Sequence, residues 1–348
     1  MMDSGANKDQ GKVVEREQVF PGSVVSRNEA DASPVSVVVS IIVVSYNTRE
    51  MTLDCLRSVI AETNQVEFEV LFIDNCSSDG SFEAVRDEFG DDPRFKMIQA
   101  EENLGFAGGN NALAKEASGR YLLLLNPDTV VLDRAVEKLI DFAEATPQNG
   151  IWGGRTMFAD GSLNPTSCWG PFTLWSEICA SLGLRAAFPK SRFFHPRGYG
   201  VWQRDSVREV GVVTGCFFLM KRQDWDELDG FDPEFFMYGE ETDLCMRAIQ
   251  RGMRPIVTPA ATIIHHGGAS EKIHEEKMVR LLDAQVRLFR RHFSRAGFAL
   301  VFFAMQTGVL LRAVAVSIRN RLVGRPAASD WSRLWRRRSE WCRGARAK

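Results

Sequence analysis

Apolar and polar positions alternate in regular blocks along residues 37–146. Runs rich in β-branched and other apolar residues predict strands at 37–46, 68–74, 95–99 and 121–125. Segments with the amphipathic spacing of helices predict helices at 48–63, 81–89, 107–118 and 132–146. Four strand–helix alternations within roughly 110 residues predict right-handed crossovers and a doubly wound, mostly parallel sheet of the α/β class.

After residue 150 the pattern loses this regularity. Residues 151–205 hold many Gly, Pro, Trp and Phe with little periodicity, which predicts a loop-rich segment that shapes a site. Further on, the sequence predicts a strand or hairpin at 207–221, helices at 222–228 and 239–251, a short strand at 255–258 and a helix at 271–293.

The last strand of the first block ends in a carboxylate. Its five apolar residues are followed by Asn126, Pro127 and Asp128, and Pro127 stops the strand because it has no backbone N–H to donate. Open α/β sheets bind ligands beyond the carboxyl ends of their strands, so Asp128 is a candidate for a metal or phosphate site. Ordinary turn chemistry also explains Asn-Pro-Asp. His265 and His266 follow a later β-rich run, and a nearby acid would favour a metal role for them over a structural one.

Polar groups also follow the first two strands. Ser45, Tyr46 and Asn47 end the first, and Asp74 and Asn75 end the second. Carboxyl ends of parallel strands meet at one edge of a sheet, where an aromatic ring, amides and a carboxylate suit a nucleotide. The chain lacks the Gly-x-Gly-x-x-Gly spacing of dinucleotide folds and the Gly-Lys-Ser/Thr phosphate loop, which disfavours hydride transfer and ATPase activity.

An acidic block opens one of the predicted later helices. Glu240 and Glu241 lie in its first turn, where the helix dipole stabilises carboxylates, and this stabilisation alone could explain them. Adjacent helical residues point about a quarter turn apart, so only one of the two is expected to face a substrate squarely. Asp243 and Arg247 have the i,i+4 spacing of a structural ion pair.

Composition is that of a globular protein, with 45% hydrophobic and 25% charged residues. The seven Cys have no Cys-x-x-Cys spacing, which argues against structural zinc or a disulfide framework and for a reducing compartment. Residues 1–35 are polar, without an apolar signal core, and predict a mobile leader and a cytosolic catalytic part.

The net charge of −2 hides an asymmetry. Residues 287–348 hold 15 Lys and Arg against 2 Asp and Glu, leaving 28 against 43 for the remainder, so a tail of about +13 follows a body of about −15. An acidic body disfavours nucleic acid, whereas a basic tail suits an anionic membrane surface. Apolar runs at 298–305 and 309–316, interrupted by Arg312, favour an interfacial helix; a membrane span, a solvated tail and a packing or dimer helix remain open.

Taken in order, these motifs resemble those of family 2 glycosyltransferases of the GT-A type, and within them the rhamnosyltransferase-like enzymes. The resemblance covers about residues 37–270. It rests on VSIIVVSYN at 39–47, IDNCSSDGS at 73–81, NLGFA at 103–107, LNPD at 125–128, the acidic and aromatic block at 230–247, and His265 with His266. It implies inverting transfer of a sugar from a nucleoside diphosphate to an acceptor hydroxyl.

The resemblance also implies roles for single residues. The nucleotide sugar would contact Ser45, Tyr46, Asn47, Asp74, Asn75, Asn103, Asn126 and Asp128. Asn126-Pro127-Asp128 stands where the family usually has Asp-x-Asp, so Asp128 would hold Mg²⁺ or Mn²⁺ while Asn126 offers a neutral oxygen. His265 or His266 would complete the protein ligands, with His265 preferred. Glu241 matches the position of the general base, and Glu240 is the second choice.

The implied organisation is a leader at 1–35, a GT-A domain at 36–270 with a nucleotide-sugar half (36–130) and an acceptor half (131–270), and a basic helical region at 271–348. The implied donor is dTDP-rhamnose, with UDP-hexoses next, and the acceptor is a glycan or polyprenyl-diphosphate-linked glycan of the cell surface. We expect a peripheral protein on the inner face of the membrane, with homo-oligomers left open. A catalytically silent GT-A binding module is the alternative of a different class.

Overall fold

The first part of the chain folds as alternating strands and helices. The computed structural model describes residues 37–267, 274–323 and 330–345, so the predicted leader lies outside the described residues. The elements are β1 (Val39–Ser45), α1 (Arg49–Glu62), β2 (Phe68–Asp74), α2 (Ser81–Phe89), β3 (Phe95–Gln99), α3 (Gly105–Glu116), β4 (Tyr121–Leu125), β5 (Thr129–Val131) and α4 (Ala135–Ala145). Every residue of β1, β2 and β4 is buried, which explains their unbroken apolar runs. All predicted elements are present, and β5 is an addition.

The second part of the chain joins the same sheet. Its elements are β6 (Ile151–Met157), β7 (Cys168–Trp169), α5 (Leu174–Ser181), α6 (Leu184–Ala187), β8 (Arg208–Glu209), β9 (Val212–Val213), β10 (Phe217–Lys221), α7 (Arg222–Glu227), α8 (Glu240–Gln250) and β11 (Ile256–His265). The nine-stranded sheet has the order β3-β2-β1-β4-β10-β6-β11-β5, with β8 beside β11. The pairs among β3, β2, β1 and β4 are parallel, as is β6 with β11, whereas β10 is antiparallel to both neighbours. The predicted α/β class with a mostly parallel sheet is confirmed.

Strand β6 corrects the expectation of a loop-rich segment at 151–205. It lies inside the sheet, between β10 and β11. The sequence pattern did not predict this strand because it contains two glycines, and glycine is depleted in strands. A Cβ on Gly153 would lie 2.5 Å from Val213 Cγ1, and one on Gly154 would collide with the carbonyl oxygen of Ala261. The glycines therefore mark close packing around a central strand.

Two other strand predictions are revised. Residues 207–221 form neither one strand nor a hairpin but the three strands β8, β9 and β10, which pair with other parts of the chain. Conversely, the short strand expected at 255–258 continues into the following apolar run as the ten-residue strand β11. Its register against β6 shifts between Val257 and Thr262, and such irregularities re-aim a strand.

The core lies on both faces of the sheet. In β1, Ile41 and Val43 pack into one buried cluster, whereas Ile42 and Val44 pack into the other, as the period of a strand requires. Both clusters draw on residues before and after position 130. The predicted nucleotide-sugar and acceptor halves thus contribute to the same two clusters. The division at residue 130 is therefore not a structural boundary and stays a prediction about function.

Helices follow the sheet at the C-terminal side. They are α9 (His274–His292), α10 (Arg295–Leu322), α11 (Asp330–Arg336) and α12 (Arg338–Trp341). The predicted helix at 271–293 corresponds to α9, with residues 271–273 outside the described part. The two apolar runs form one continuous helix, α10. Gly308, which lies between the two runs, is where α10 meets α5, and a Cβ there would collide with the carbonyl oxygen of Ser181. By length and composition, α10 is the one described helix that could cross a membrane.

Candidate functional site

One cleft gathers most of the predicted site residues. Its volume is about 560 Å³, and it lies beyond the carboxyl ends of β1, β2, β4 and β11 and beside the first turn of α8. Its walls include Tyr46, Asn75, Asn103, Asn126, Asp128, Glu240, Glu241, His265 and His266. Ser45, Asn47 and Asp74, although described, are not among the wall residues. The position fits the rule that open α/β sheets bind ligands at these strand ends.

Ser45 and Asn47 shape loops that frame the cleft. The buried hydroxyl of Ser45 lies 3.2 Å from Thr48 Oγ1 and 3.0 Å from Thr52 Oγ1, so it joins the end of β1 to the first turn of α1. Asn47 has a φ of 53°, which asparagine tolerates, and its Oδ1 accepts a hydrogen bond of 2.8 Å from the Ser78 N–H. The loops after β1 and β2 are thereby joined.

Buried acceptors without a partner lie at the end of β2. Asp74 Oδ2 accepts a hydrogen bond of 2.9 Å from the Ser77 N–H, but its Oδ1 has no partner. Asn75 Nδ2 donates to the Gly105 carbonyl at 2.9 Å, and Asn75 Oδ1 likewise has none. Asn103 holds the same glycine, because its Oδ1 accepts from the Gly105 N–H at 2.8 Å. Unpaired buried acceptors are costly, so these two oxygens suit donors on a bound ligand.

Asp128 and His265 form an ionic corner of the cleft. Asp128 is 7% exposed, and its Oδ1 lies 3.4 Å from His265 Nε2 while its Oδ2 accepts from the Gly267 N–H at 3.0 Å. Asn126 Nδ2 lies 3.4 Å from the same ring nitrogen. Strand β5 brings these groups together, because His265 pairs with Thr129 in the β11–β5 register.

The two partners stabilise each other's charged forms. Burial acts to raise the pKa of Asp128, but the hydrogen bond and charge of His265, together with backbone N–H groups, hold that pKa below its ordinary value. Burial acts to lower the pKa of His265, yet the neighbouring Cys216 and the Asp128 carboxylate raise it to about 10. Without a bound cation, the corner therefore favours an ionised Asp128 beside a protonated His265.

This corner fits a divalent cation of the magnesium or manganese kind. Asn126 Oδ1 and His265 Nδ1 are buried without a partner. The amide oxygen can bind a cation directly, whereas the His265 ring must first lose a proton, which a bound divalent cation favours. Such cations are held by one or two carboxylates together with substrate phosphates. Accordingly, residues 37–267, 274–323 and 330–345 contain no group of three His, Cys, Asp or Glu side chains arranged for a metal. His266 is exposed and donates its backbone N–H to the Asp128 carbonyl at 3.0 Å.

Glu240 and Glu241 form a second acidic corner. Gly239, with a φ of 92°, turns the chain into α8, and a Cβ on it would lie 3.2 Å from the Phe235 ring. Burial raises the pKa of both glutamates, and the charge of Glu241 raises that of Glu240 further. The hydrogen bond between them raises the pKa of Glu240, whereas that bond, backbone N–H groups and the charge of Arg197 lower the pKa of Glu241. Burial therefore favours a proton held within the pair, and the charge of Arg197 favours Glu241 as the ionised member.

A buried ion cluster holds α8 in place. Asp243 is fully buried and lies 2.7 Å from Arg247 Nε, 2.8 Å from Arg291 Nε and 2.8 Å from His292 Nε2. Burial acts to raise the pKa of Asp243, but the His292 hydrogen bond and the two guanidinium groups hold it below its ordinary value. The predicted Asp243–Arg247 pair is confirmed, and the cluster also ties α8 to α9.

Sequence reasoning missed two residues that support the site. Arg197 acts on Glu241 by its charge, and its Nη1 lies 3.3 Å from the buried Glu177 carboxylate. Asn164 donates from Nδ2 to the His265 carbonyl at 2.9 Å. Both come from residues 151–205, and only the general expectation that this segment shapes a site pointed to them.

Comparison with known sequences matches more than half of the chain to one family. Residues 40–228 match the model described as Glycosyl transferase family 2. Over 239 residues the chain is 27% identical to O-antigen biosynthesis protein RfbC of Myxococcus xanthus; the aligned region covers 67% of this chain but only 18% of that protein. Over 247 residues it is 26% identical to the N-acetylglucosaminyl-diphospho-decaprenol L-rhamnosyltransferase of Mycobacterium tuberculosis; this aligned region covers 66% of this chain and 76% of that protein.

Comparison with solved structures identifies the fold. The mannosyltransferase PcManGT from Pyrobaculum calidifontis, in complex with GDP-Man and Mn²⁺, superposes with a TM-score of 0.51 at 16% identity, covering 89% of this chain and 84% of that chain. At this identity the likeness shows a shared fold. The predicted GT-A type is confirmed.

Proposed function

The chain belongs to glycosyl transferase family 2, and from this premise we propose that it is an inverting enzyme that moves a sugar from a nucleoside diphosphate to an acceptor hydroxyl. The family confirms the prediction of a glycosyltransferase. The stereochemistry, the donor, the acceptor and the roles of single residues are proposals.

For the donor we propose dTDP-rhamnose, and for the acceptor a polyprenyl-diphosphate-linked glycan used in cell-surface polysaccharide synthesis. The names of two relatives support this choice, since one is an L-rhamnosyltransferase of a decaprenol-linked sugar and the other is an O-antigen biosynthesis protein. A lipid-linked acceptor would place the protein on the inner face of the cell membrane, in contact with anionic lipid through its C-terminal region.

One observation carries the proposal: the cleft joins three kinds of chemistry that sugar transfer requires. The unpaired Oδ1 of Asn75 in the cleft wall, with that of Asp74 next to it at the end of β2, suits the N–H and O–H donors of a base or ribose. The Asp128–His265 corner suits a cation on the diphosphate. The glutamate pair of α8 supplies a carboxylate that can take a proton.

On the acceptor side, Glu241 accepts the proton of the attacking hydroxyl. The hydroxyl oxygen bonds to the anomeric carbon on the face opposite the diphosphate, so the configuration inverts. Glu240, which holds its own proton, donates a hydrogen bond to Glu241 and keeps its neighbour ionised. This arrangement favours Glu241 as the base and Glu240 as its supporting donor.

On the donor side, the bond between the anomeric carbon and the diphosphate oxygen breaks, and its electrons leave with the nucleoside diphosphate. A divalent cation, when bound, neutralises the charge that develops there. Asp128 would supply its charged ligand and Asn126 a neutral oxygen. His265 would be the second protein ligand, because its ring adjoins Asp128 whereas His266 reaches Asp128 through the backbone.

A donor screen tests the proposal. The full chain is incubated with dTDP-rhamnose, UDP-hexoses and GDP-mannose, each with and without Mn²⁺, and thermal stabilisation and released nucleotide are measured. We expect Mn²⁺-dependent stabilisation and turnover that are largest with dTDP-rhamnose. Preference for a UDP-hexose would overturn the donor assignment. Absence of both binding and turnover across the panel would favour the silent binding module.

A further inference from the structure

The outward face of α10 is apolar along most of its length. Between residues 299 and 318, every exposed side chain is apolar. They are Ala299, Leu300, Phe303, Leu310, Leu311, Val314, Ala315 and Ile318. This stripe is roughly 30 Å long at the helical rise. Isolated apolar side chains on a surface are normal, but a contiguous stripe of this size marks an interaction site.

The charge that interrupts the apolar sequence is turned away from this stripe. Arg312 donates from Nη1 to the Ser181 carbonyl at 2.8 Å and from Nη2 to the Ala180 carbonyl at 3.2 Å. It thus satisfies the last carbonyls of α5, where a cation is also favoured by the helix dipole. Because Arg312 faces the protein, the argument from sequence that it limits membrane insertion no longer applies to the exposed face.

Adjoining elements extend the apolar surface. Helix α5 packs against α10, and further large apolar side chains are exposed on α5 and on the segment that follows it. They are Trp175, Leu182, Phe188 and Phe193. The Trp175 and Phe193 rings lie 5.0 Å apart, and Trp175 Nε1 donates to the Phe193 carbonyl at 2.8 Å. Amphipathic aromatics of this kind are typical of membrane interfaces.

Part of the basic charge counted in the tail forms ion pairs within the protein. Arg287 and Arg290 pair with Glu234, Arg291 with Asp232 and Asp243, and Arg333 and Arg337 with acids at the start of α9. Within the described ranges, the exposed Arg295, Arg319 and Arg321 of α10 form no ion pair. They flank the apolar stripe at its two ends, and α10 contains no Asp or Glu.

We propose that the stripe of α10, with the exposed apolar residues after α5, lies flat in the surface of an anionic bilayer, with its terminal arginines on lipid phosphates. The opposite face of α10 packs on α5, α9 and α11, so the helix does not stand free to cross the bilayer. A second copy fits less well. In a two-fold antiparallel contact, Arg295 of one copy would meet Arg319 and Arg321 of the other. The proposal deepens the membrane location suggested under the proposed function, but it does not depend on transfer activity.

Vesicle flotation with the full chain tests the proposal. The vesicles are phosphatidylcholine alone or phosphatidylcholine with phosphatidylglycerol, at low and high salt. We expect binding that requires the anionic lipid and weakens with salt. The triple variant Phe303→Glu, Leu311→Glu, Ile318→Glu should weaken binding by about a hundredfold or more, because carboxylates would enter the acyl boundary beside anionic lipid.

A matched triple variant controls for the added charge. Val207→Glu, Gln148→Glu and Ile249→Glu put three carboxylates on other exposed positions and should bind vesicles as the unchanged protein does. Alkaline carbonate should release the unchanged protein from vesicles, since it lies on the bilayer. Retention in carbonate would overturn the flat orientation in favour of a span.

Sedimentation without lipid separates the remaining outcomes. A dimer that the α10 triple variant dissociates, combined with no vesicle binding, would overturn the proposal in favour of a second copy. Equal binding to neutral and anionic vesicles would overturn the role of the arginines. Nucleotide-sugar stabilisation of both triple variants reports separately on the cleft, so a failure of docking and a failure of the proposed transfer reaction give different results.

Discussion

Asp128 and the Glu240–Glu241 pair line the same cleft but have opposite electrostatic environments. Asp128 and Glu240 are both buried and Glu241 is half-buried, so burial alone does not separate Asp128 from the glutamates. Asp128 lies beside the His265 ring, which holds the pKa of Asp128 down. The two glutamates have each other as neighbours, and burial raises the pKa of both. The charge of the hydrogen-bonded partner, rather than depth in the protein, decides which acid is ionised.

This difference divides the chemistry of the cleft. An acid that stays ionised suits a cation, whereas an acid whose pKa is raised suits proton transfer. The same residue type could not serve both tasks in the same surroundings.

The largest effect is expected from Asp128→Asn, which keeps the shape of the side chain and removes the charge. We expect Mn²⁺-dependent donor binding to disappear and kcat/KM to fall about a thousandfold, equivalent to about 4 kcal/mol. Asp141→Asn, at an exposed acid of α4, is the control and should leave both unchanged. Calorimetric titration of Mn²⁺ and donor measures the binding, and undiminished Mn²⁺-dependent affinity would show that Asp128 does not hold the cation.

The second variant pair separates the glutamates. Glu241→Gln should lower kcat by about 10²- to 10⁴-fold while donor affinity stays the same, because only proton transfer is lost. Glu240→Gln should cost much less, since glutamine is also a neutral hydrogen-bond donor toward Glu241. Steady-state kinetics and donor-binding measurements compare the two variants. A larger loss of kcat in Glu240→Gln than in Glu241→Gln would make Glu240 the base.

The third prediction concerns the scaffold of the glutamate corner. Asp243→Asn leaves two guanidinium groups and His292 around a buried neutral amide and should lower the free energy of unfolding by about 3 kcal/mol. Because the pKa of Asp243 is depressed in the folded protein, its contribution is present above the unfolded value of about 4 and declines as pH falls below it. Denaturant unfolding at several pH values measures this loss.

The exposed acid Asp226 is the control for this variant, and Asp226→Asn should unfold as the unchanged protein does. The difference between Asp243→Asn and the unchanged protein should narrow under acid conditions. A difference that is constant from neutral to acid pH would indicate a packing defect rather than the loss of the ion cluster.

The smallest effect is a displacement of the pH–rate profile. Because the proposed base is ionised Glu241, whose pKa is raised, the acid limb of kcat/KM should lie above the usual range of a glutamate. Arg197→Gln removes a charge that lowers the pKa of Glu241, and the acid limb should therefore move to higher pH. Arg192→Gln, at an exposed position of the same segment, should leave the profile in place. Identical pH–rate profiles for the two variants would show that Arg197 does not influence the pKa of the base.

Local sequence pattern predicted much of the fold and most of the candidate residues that line the cleft. The helix and strand predictions over 37–146 hold, because burial imposes a period that a short window reveals. Asp128 after an apolar run, and Glu240 with Glu241 at a helix start, were recognisable because their meaning depends on the adjacent element. The same reasoning did not predict strand β6, because its two glycines are required by close contacts with residues far away in the sequence.

The sequence by itself determined which residues could do chemistry: the acids, amides and imidazoles at the strand ends and at the start of α8. Only the tertiary structure decided which of them meet. His265 adjoins Asp128 through the β11–β5 pairing, Ser45 turns toward α1, and Arg312 turns inward to α5. The physical reason is that side-chain type and local period report burial, whereas register, packing and ion pairing depend on partners far apart in the chain. The same partners give Asp128 and Glu241 their different proton affinities.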